Sequence, residues 1–328
     1  MESDVTRPIH RRTLLIAAIA VPALLSAGAL RAAPKEINID WATYNPVSLV
    51  LKQQGLLEAE FAKSGMTIRW VQSAGSNKAL EFLNAGSLDF GSTAGAAALI
   101  GRANGNPIKA IYVFSRPEWT ALVTKADSPI HSVADLKGQR IAVTRGTDPH
   151  IFLVRALAEA GLSEKDVKLV LLQHADGRTA LERGDVVAWA GLDPIMAAAE
   201  IESGARLFYR RPEANSWGVL NVREAFAAEN PEIVARVLAV YEQARIWAVT
   251  HPAELKAMLV SAMKLPDAVV ARQLERTDLS SGQIGPKQAA TIIEAGRALQ
   301  KAGVLGADVD VVAVTNALID PSFAAKSP

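Results

Sequence analysis

Thr67-Ile68-Arg69-Trp70-Val71-Gln72-Ser73-Ala74-Gly75-Ser76-Asn77 runs from an alternating, β-branched stretch through a small Ser/Gly turn into an Ala/Leu-rich segment of helical period over residues 76–85. Strand, short turn and helix in that order form the unit of an α/β protein. The unit returns at Asp89-Phe90-Gly91-Ser92-Thr93-Ala94-Gly95 and at Val143-Thr144-Arg145-Gly146-Thr147-Asp148-Pro149-His150, with a looser form at Tyr44-Asn45-Pro46-Val47-Ser48.

Outward from these units, strands are expected over residues 37–41, 67–72, 88–90 and 108–114, with helices over 47–63, 76–85 and 94–104 between them. A second series places strands at 140–144, 168–172, 187–189 and 206–209 and helices at 149–160, 176–183 and 194–203. Trp119-Thr120-Ala121-Leu122-Val123-Thr124 and Ser216-Trp217-Gly218-Val219-Leu220-Asn221 separate the two series and are candidate crossing strands. The predicted class is therefore α/β, with two parallel-sheet lobes. One lobe comprises residues 34–119 and 222–328, the other residues 120–221. Beyond residue 221 the pattern is helical, and prolines open the segments 231–249, 252–263, 266–277 and 286–302, where no amide hydrogen is needed.

Composition narrows the function. The 328 residues are half hydrophobic and 21% charged, which excludes disorder, and a net charge of +1 offers no basic face for nucleic acid. The absence of Cys removes thiol nucleophiles, thiolate metal sites, iron–sulfur clusters and a lipidated anchor. No H-E-x-x-H, G-x-S-x-G or paired metal-binding His occurs, and the phosphate-loop spacing at residues 86–93 has Ser92 where Lys is required. No catalytic residue, metal or cofactor is expected.

At the N-terminus, Arg11-Arg12-Thr13-Leu14-Leu15 leads into an apolar run to Leu30 and then Arg31-Ala32-Ala33-Pro34. This order is that of an export signal. The 17-residue run, broken by Pro22, Ser26 and Gly28, falls short of the roughly 20 residues of a membrane span. The Arg pair is similar to a twin-arginine signal, and a Sec signal carrying the same pair is the alternative. Residues 1–33 hold four basic and two acidic groups, so cleavage would leave a mature chain of net charge −1 without a membrane anchor. The expected location is the periplasm.

Each strand–turn–helix unit is a possible anion seat, because glycine admits close approach and a helix start carries free amide hydrogens and partial positive charge. The same features serve ordinary helix capping. One helix start contributes about 0.3–1 kcal/mol to an anion, up to ~2 when partly buried. Micromolar binding needs about 8 kcal/mol. Several seats from two lobes closing on one solute are therefore required, in line with the tendency of α/β sheets to bind ligands beyond their carboxyl-terminal edge.

Leu83-Asn84-Ala85-Gly86-Ser87-Leu88-Asp89-Phe90-Gly91-Ser92-Thr93, Ser128-Pro129-Ile130-His131-Ser132-Val133-Ala134-Asp135-Leu136-Lys137-Gly138, Gly146-Thr147-Asp148-Pro149-His150, Asp193-Pro194 and Asn230-Pro231-Glu232 follow one another through most of the mature chain. In this the sequence resembles the periplasmic solute-binding proteins of ABC importers for nitrate, sulfonate and taurine, above all the aliphatic sulfonate-binding branch. The resemblance implies a bilobed type II periplasmic binding fold, not an enzyme, that captures a small anionic organic solute, a sulfonate, and delivers it to a membrane permease, acting as a monomer. It places the anion head at Ser92 and Thr93 from one lobe and at Gly146, Thr147 and His150 from the other. Ser73, Gly75 and Ser76 would line the cleft, with Asn45, Glu118, Asp193 and Asn215 as further wall residues. The turn Thr147-Asp148-Pro149 departs from the hydroxyl-rich pattern of the family: Asp148 either caps its helix or reads a cationic group on a zwitterionic ligand. Leu192 replaces a Trp usual in the sulfonate branch. Alternative solutes are nitrate, taurine or a thiamine precursor, and an exported enzyme on the same scaffold is the alternative of another class.

Overall fold

The structure, a computed structural model, describes residues 1–2 and 34–323. The expected export signal lies outside the described residues. The described residues from Pro34 onward form one compact unit.

The first series runs β1 (Glu36–Trp41), α1 (Pro46–Gln54), α2 (Leu56–Phe61), β2 (Thr67–Gln72), α3 (Ser76–Asn84), β3 (Phe90–Ala94), α4 (Gly95–Ala103) and β4 (Ile108–Pro117). The single helix expected over 47–63 is divided because Gly55 takes the left-handed conformation (φ 63°), ending α1 and starting α2. The second series is β5 (Leu122–Thr124), β6 (Arg140–Val143), α5 (Asp148–Glu159), β7 (Lys168–Leu171), α6 (His174–Arg183), β8 (Ala188–Ala190), α7 (Ile195–Ser203) and β9 (Arg206–Tyr209). The chain then enters β10 (Gly218–Arg223) and continues through α8 (Glu224–Glu229), α9 (Pro231–Thr250), α10 (Pro252–Met263), α11 (Asp267–Glu275), the short β11 (Thr277–Asp278), α12 (Pro286–Lys301) and α13 (Val311–Leu318).

Among the described residues the strands form two sheets, in the orders β11-β4-β10-β3-β1-β2 and β7-β6-β8-β5-β9. β1 is parallel to β2 and β3, and β6 is parallel to β7 and β8, as helix-linked strands require. β10 and β5 are antiparallel to their neighbours. These two strands are the ones that enter each sheet directly from a crossing, without an intervening helix to reverse the chain. The stretch 216–221, read as a crossing strand, thus contributes to β10 inside the first sheet, and the return crossing lies ahead of Gly218.

β3 differs instructively from expectation. Gly91-Ser92-Thr93, read as a turn, is the buried centre of the strand, because the antiparallel ladder with β10 pairs Gly218 with Ala94, Val219 with Thr93 and Leu220 with Ser92. Ile37, Ile39, Phe90, Val219 and Leu220 are fully buried in the core of the first lobe. Ile141, Val143, Phe152 and Leu157 belong to the core of the second. Ile151 and Val154 on α5 pack into the first lobe's core instead, so this helix joins the two halves.

Candidate functional site

The carboxyl-terminal edges of the two sheets meet where α3 and α5 begin. There Tyr44, Ser76, Trp119, Thr147, Asp148, Pro149 and Leu192 border a cavity with about 10 Å³ of free space. Two helix starts, one from each lobe, therefore share one enclosure.

At α3, Lys78 and Ala79 donate their amides to the Gly75 carbonyl (3.0 and 3.2 Å), and the amides of Ser76 and Asn77 precede the first helical bond. Ser76 Oγ accepts from the Ala94 amide at 3.0 Å, which fixes the hydroxyl and leaves its proton to be donated elsewhere. At α5, Thr147 Oγ1 donates to the Thr144 carbonyl (2.6 Å), Pro149 has no amide hydrogen, and the His150 amide is bonded to the Thr147 carbonyl (3.1 Å). The expected seat at α4 is closed by the chain itself: Gly95 donates to the Trp217 carbonyl (2.8 Å) and Ala96 to Ser216 Oγ (3.1 Å).

Asp148 does not cap its own helix. Its Oδ2 accepts from the Trp119 indole (2.7 Å) and from the Ser216 amide (3.0 Å), one donor near each crossing. Burial pushes its carboxyl above the ordinary aspartate range, against the opposing pull of these donors. Trp119 also meets Tyr44 edge to face, with centroids 5.9 Å apart.

Behind the cavity, Ser92 is committed to the protein. Its amide donates to both Asp40 oxygens (2.9 Å each), its hydroxyl donates to Asp40 Oδ1 (2.8 Å), and it accepts from Asn45 Nδ2 (2.8 Å). Asn45 Nδ2 also reaches Tyr241 Oη at 2.8 Å. Burial raises Asp40 to about 6 despite the bonds from Ser92. Ser73 lies close enough to favour the Asp40 carboxylate, yet its hydroxyl makes no hydrogen bond of good geometry. Thr93 Oγ1 accepts from Asn221 Nδ2 (2.8 Å).

His150, expected at the anion head, and the predicted wall residues Glu118, Asp193 and Asn215 are not among the residues that border the enclosure. Glu118 forms two 2.8 Å bonds with Arg210. His150 turns toward Glu164 (2.8 Å), and burial lowers its pKa. Asp193 Oδ1 accepts from the Ala197 amide (2.9 Å) and so caps α7, while Oδ2 pairs with Arg276 at 3.5 Å; burial lifts this carboxyl to about 7. Asn215 clips the crossings together, accepting from the Thr120 amide (2.9 Å) and donating to the Arg211 carbonyl (3.1 Å). Of the thirteen predicted residues, Ser76, Thr147 and Asp148 border the cavity, and Gly75 and Gly146 flank it.

His174 was not singled out by its sequence context. It opens α6, and a Cβ placed on Gly75 would lie 3.1 Å from its Nε2 and 2.9 Å from Asn77 Oδ1. Thr144 Oγ1 donates to the Leu172 carbonyl (2.7 Å) and lies 3.2 Å from His174 Nδ1, an arrangement that puts the neutral ring's proton on Nδ1. Burial lowers this imidazole to about 3. The sequence signal available was its position after β7, at the same sheet edge as the other seats.

Comparison with known proteins bears on this arrangement. Residues 60–255 match the family described as NMT1/THI5 like. The "Putative aliphatic sulfonates-binding protein" of Escherichia coli (strain K12) is 31% identical over 263 residues, which span 78% of this chain and 82% of that protein. The alkanesulfonate-binding protein SsuA from Xanthomonas axonopodis pv. citri, solved bound to MOPS, superposes with a TM-score of 0.77 at 27% identity, covering 88% of this chain and 99% of that one. The periplasmic aliphatic sulphonate binding protein SsuA from Escherichia coli gives a TM-score of 0.71 at 28% identity, covering 85% and 91%. The chain has the bilobed α/β fold of these periplasmic binding proteins and belongs to the NMT1/THI5-like family.

Proposed function

We propose that this protein is the periplasmic substrate-binding component of an ABC importer, exported by the signal in residues 1–33, which captures an organic sulfonate between its lobes and delivers it unaltered to a membrane permease. The observation that carries this reading is the meeting of two helix starts, from opposite lobes, at one aromatic-walled cavity. The free amides of Ser76 and Asn77 and the Ser76 hydroxyl supply donors for the sulfonate oxygens. Tyr44, Trp119 and Leu192 supply apolar surface for the organic part. About 10 Å³ is less than any sulfonate occupies, so capture requires the lobes to part and close again.

Binding rather than turnover is supported by the state of the buried hydroxyls. Ser92 is tied to Asp40 and Asn45 behind the cavity, and Thr147 donates to the Thr144 carbonyl, so neither hydroxyl is presented to the cavity as a nucleophile. The test is a thermal-shift screen of the protein against alkanesulfonates, sulfate and nitrate. A concentration-dependent rise in the unfolding midpoint with alkanesulfonates is expected. Stabilisation by nitrate or sulfate alone would contradict the sulfonate assignment.

A further inference from the structure

The two ring nitrogens of His174 differ in their surroundings. Thr144 Oγ1 gives its hydrogen to the Leu172 carbonyl (2.7 Å), so Nδ1, 3.2 Å from that oxygen, is the donor of the pair and the lone pair of the neutral ring lies on Nε2. Nε2 is buried without a hydrogen-bond partner, in a residue that is 1% exposed. It faces the other lobe: a Cβ on Gly75, the residue ahead of α3, would lie 3.1 Å from it. Asn77 Oδ1, 2.9 Å from the same Cβ position, is also buried and unpartnered. Buried polar atoms are nearly always paired, so an imidazole nitrogen left open toward the start of α3 calls for a partner there.

A sulfonate has oxygens that only accept. A lone pair on Nε2 repels it, whereas a protonated Nε2 gives it a charge-assisted hydrogen bond. With the lobes this close, burial is what lowers the imidazole to about 3. Charged groups on the elements packed around the ring are engaged elsewhere. Lys78 of α3 pairs with Glu81, Arg145 after β6 with Glu164, Arg178 of α6 with Glu182 and with Glu202 of α7, and Glu200 of α7 with Arg276. Arg140 of β6 and Asp176 of α6 are exposed, β8 carries no charge, and Asp148 is held by Trp119 and Ser216. When the lobes part, water reaches Nε2 and the ring returns to the ordinary histidine value near 6.5. An anion in contact reverses the effect of burial, because an opposite charge favours the charged form.

We propose that His174 is the second lobe's binding residue for the solute: its imidazole takes up one proton from solvent on capture and donates from Nε2 to a sulfonate oxygen seated at the start of α3. This rests on the sulfonate-binding reading and adds a residue and a proton to it. Release returns the proton to solvent, so the imidazole is charged only while the anion is held.

The experiment is calorimetric titration of the full-length exported protein with propanesulfonate at pH 7.5, in phosphate and in Tris, whose ionisation enthalpies differ. The sulfonate does not titrate in this range, so the buffer dependence of the heat counts protons taken up by the protein. About one proton per sulfonate is expected, with affinity falling roughly five- to tenfold from pH 7 to pH 8. In His174→Gln the uptake should vanish and the affinity should become independent of pH over that interval. Nitrogen-15 NMR of the wild-type ring reads the same proton if the variant folds poorly: mainly neutral with hydrogen on Nδ1 before addition of sulfonate, protonated on both nitrogens after it. Sulfonate binding without proton uptake, uptake that persists in His174→Gln, or a ring that stays neutral in the complex overturns the proposal and leaves the sulfonate reading standing. Failure to bind propanesulfonate at any pH contradicts that reading, and this proposal with it.

Discussion

Two serines expected at the same sheet edge have opposite assignments. Ser92 is bonded on every side to Asp40 and Asn45, whereas the Ser76 hydroxyl accepts one amide and keeps its proton. Ser92→Ala is expected to cost about 1–3 kcal/mol of stability by leaving buried partners unpaired, measured as a lower denaturant midpoint. Ser76→Ala is expected to cost stability as well, since it leaves the buried Ala94 amide unpaired, and in addition to weaken sulfonate binding by about 1.5–3 kcal/mol, the range for a hydrogen bond to a charged group, measured by titration. Asp40 adds a pH dependence. Its folded pKa of about 6 lies above the ordinary aspartate value of 3.8, so its contribution to stability is complete below pH 3.8 and is lost as pH rises through about 6. Asp40→Asn should flatten that part of the stability profile between pH 4 and 7, a difference on the order of 2–3 kcal/mol at most by linkage. Sequence could mark Ser76, Ser92 and Asp148 as polar residues at helix starts. It could not show which were already paired, because Asp40, Asn45, Tyr241 and Ser216 reach them from distant parts of the chain.

At the scale of elements, most strands and helices were legible from periodicity, and the exceptions have identifiable causes. β3 extends through Gly91-Ser92-Thr93 because β10, 127 or so residues later, zips along it; small residues that suit a turn also suit a strand buried on both faces. α13 went unread although Asp310 caps it, accepting from Val312 and Ala313 at 3.0 and 2.9 Å, since its run is short. The same close packing makes two glycines diagnostic. A Cβ at Gly218, the first residue of β10, would lie 2.4 Å from the Phe114 ring and 2.8 Å from Ser115 Oγ. Gly218→Ala should therefore destabilise the first lobe by about 1–3 kcal/mol, read as a lower thermal midpoint. Gly75 is different, since its closest neighbour outside its own turn is His174 on the opposite lobe. Gly75→Ala is expected to obstruct closure, lowering sulfonate affinity by roughly tenfold, or about 1.4 kcal/mol, with little change in the unfolding midpoint. A large loss of stability with unchanged affinity would place the Gly75–His174 contact outside the closing motion.

For the whole molecule, the alternation of strand and helix, interrupted twice, was enough to indicate two α/β lobes, because each sheet needs its own covering helices and a chain that returns to its first sheet must cross twice. The closeness of the lobes was not legible. It comes from Ile151 and Val154 entering the first lobe's core, from Ala197 and Ala198 against Val269, and from Arg276 paired with Asp193 and Glu200 beside the first crossing. The Gly75–His174 approach adds a contact between the helix starts themselves. The central claim is that the start of α3, facing the second lobe, holds the sulfonate head in that gap. The crystal structure of the complex with a bound organic sulfonate tests it most directly. The account predicts sulfonate oxygens within hydrogen-bond distance of the Ser76 and Asn77 amides and the Ser76 hydroxyl, enclosed by both lobes. A sulfonate bound to one lobe only, or seated away from the start of α3, would contradict it.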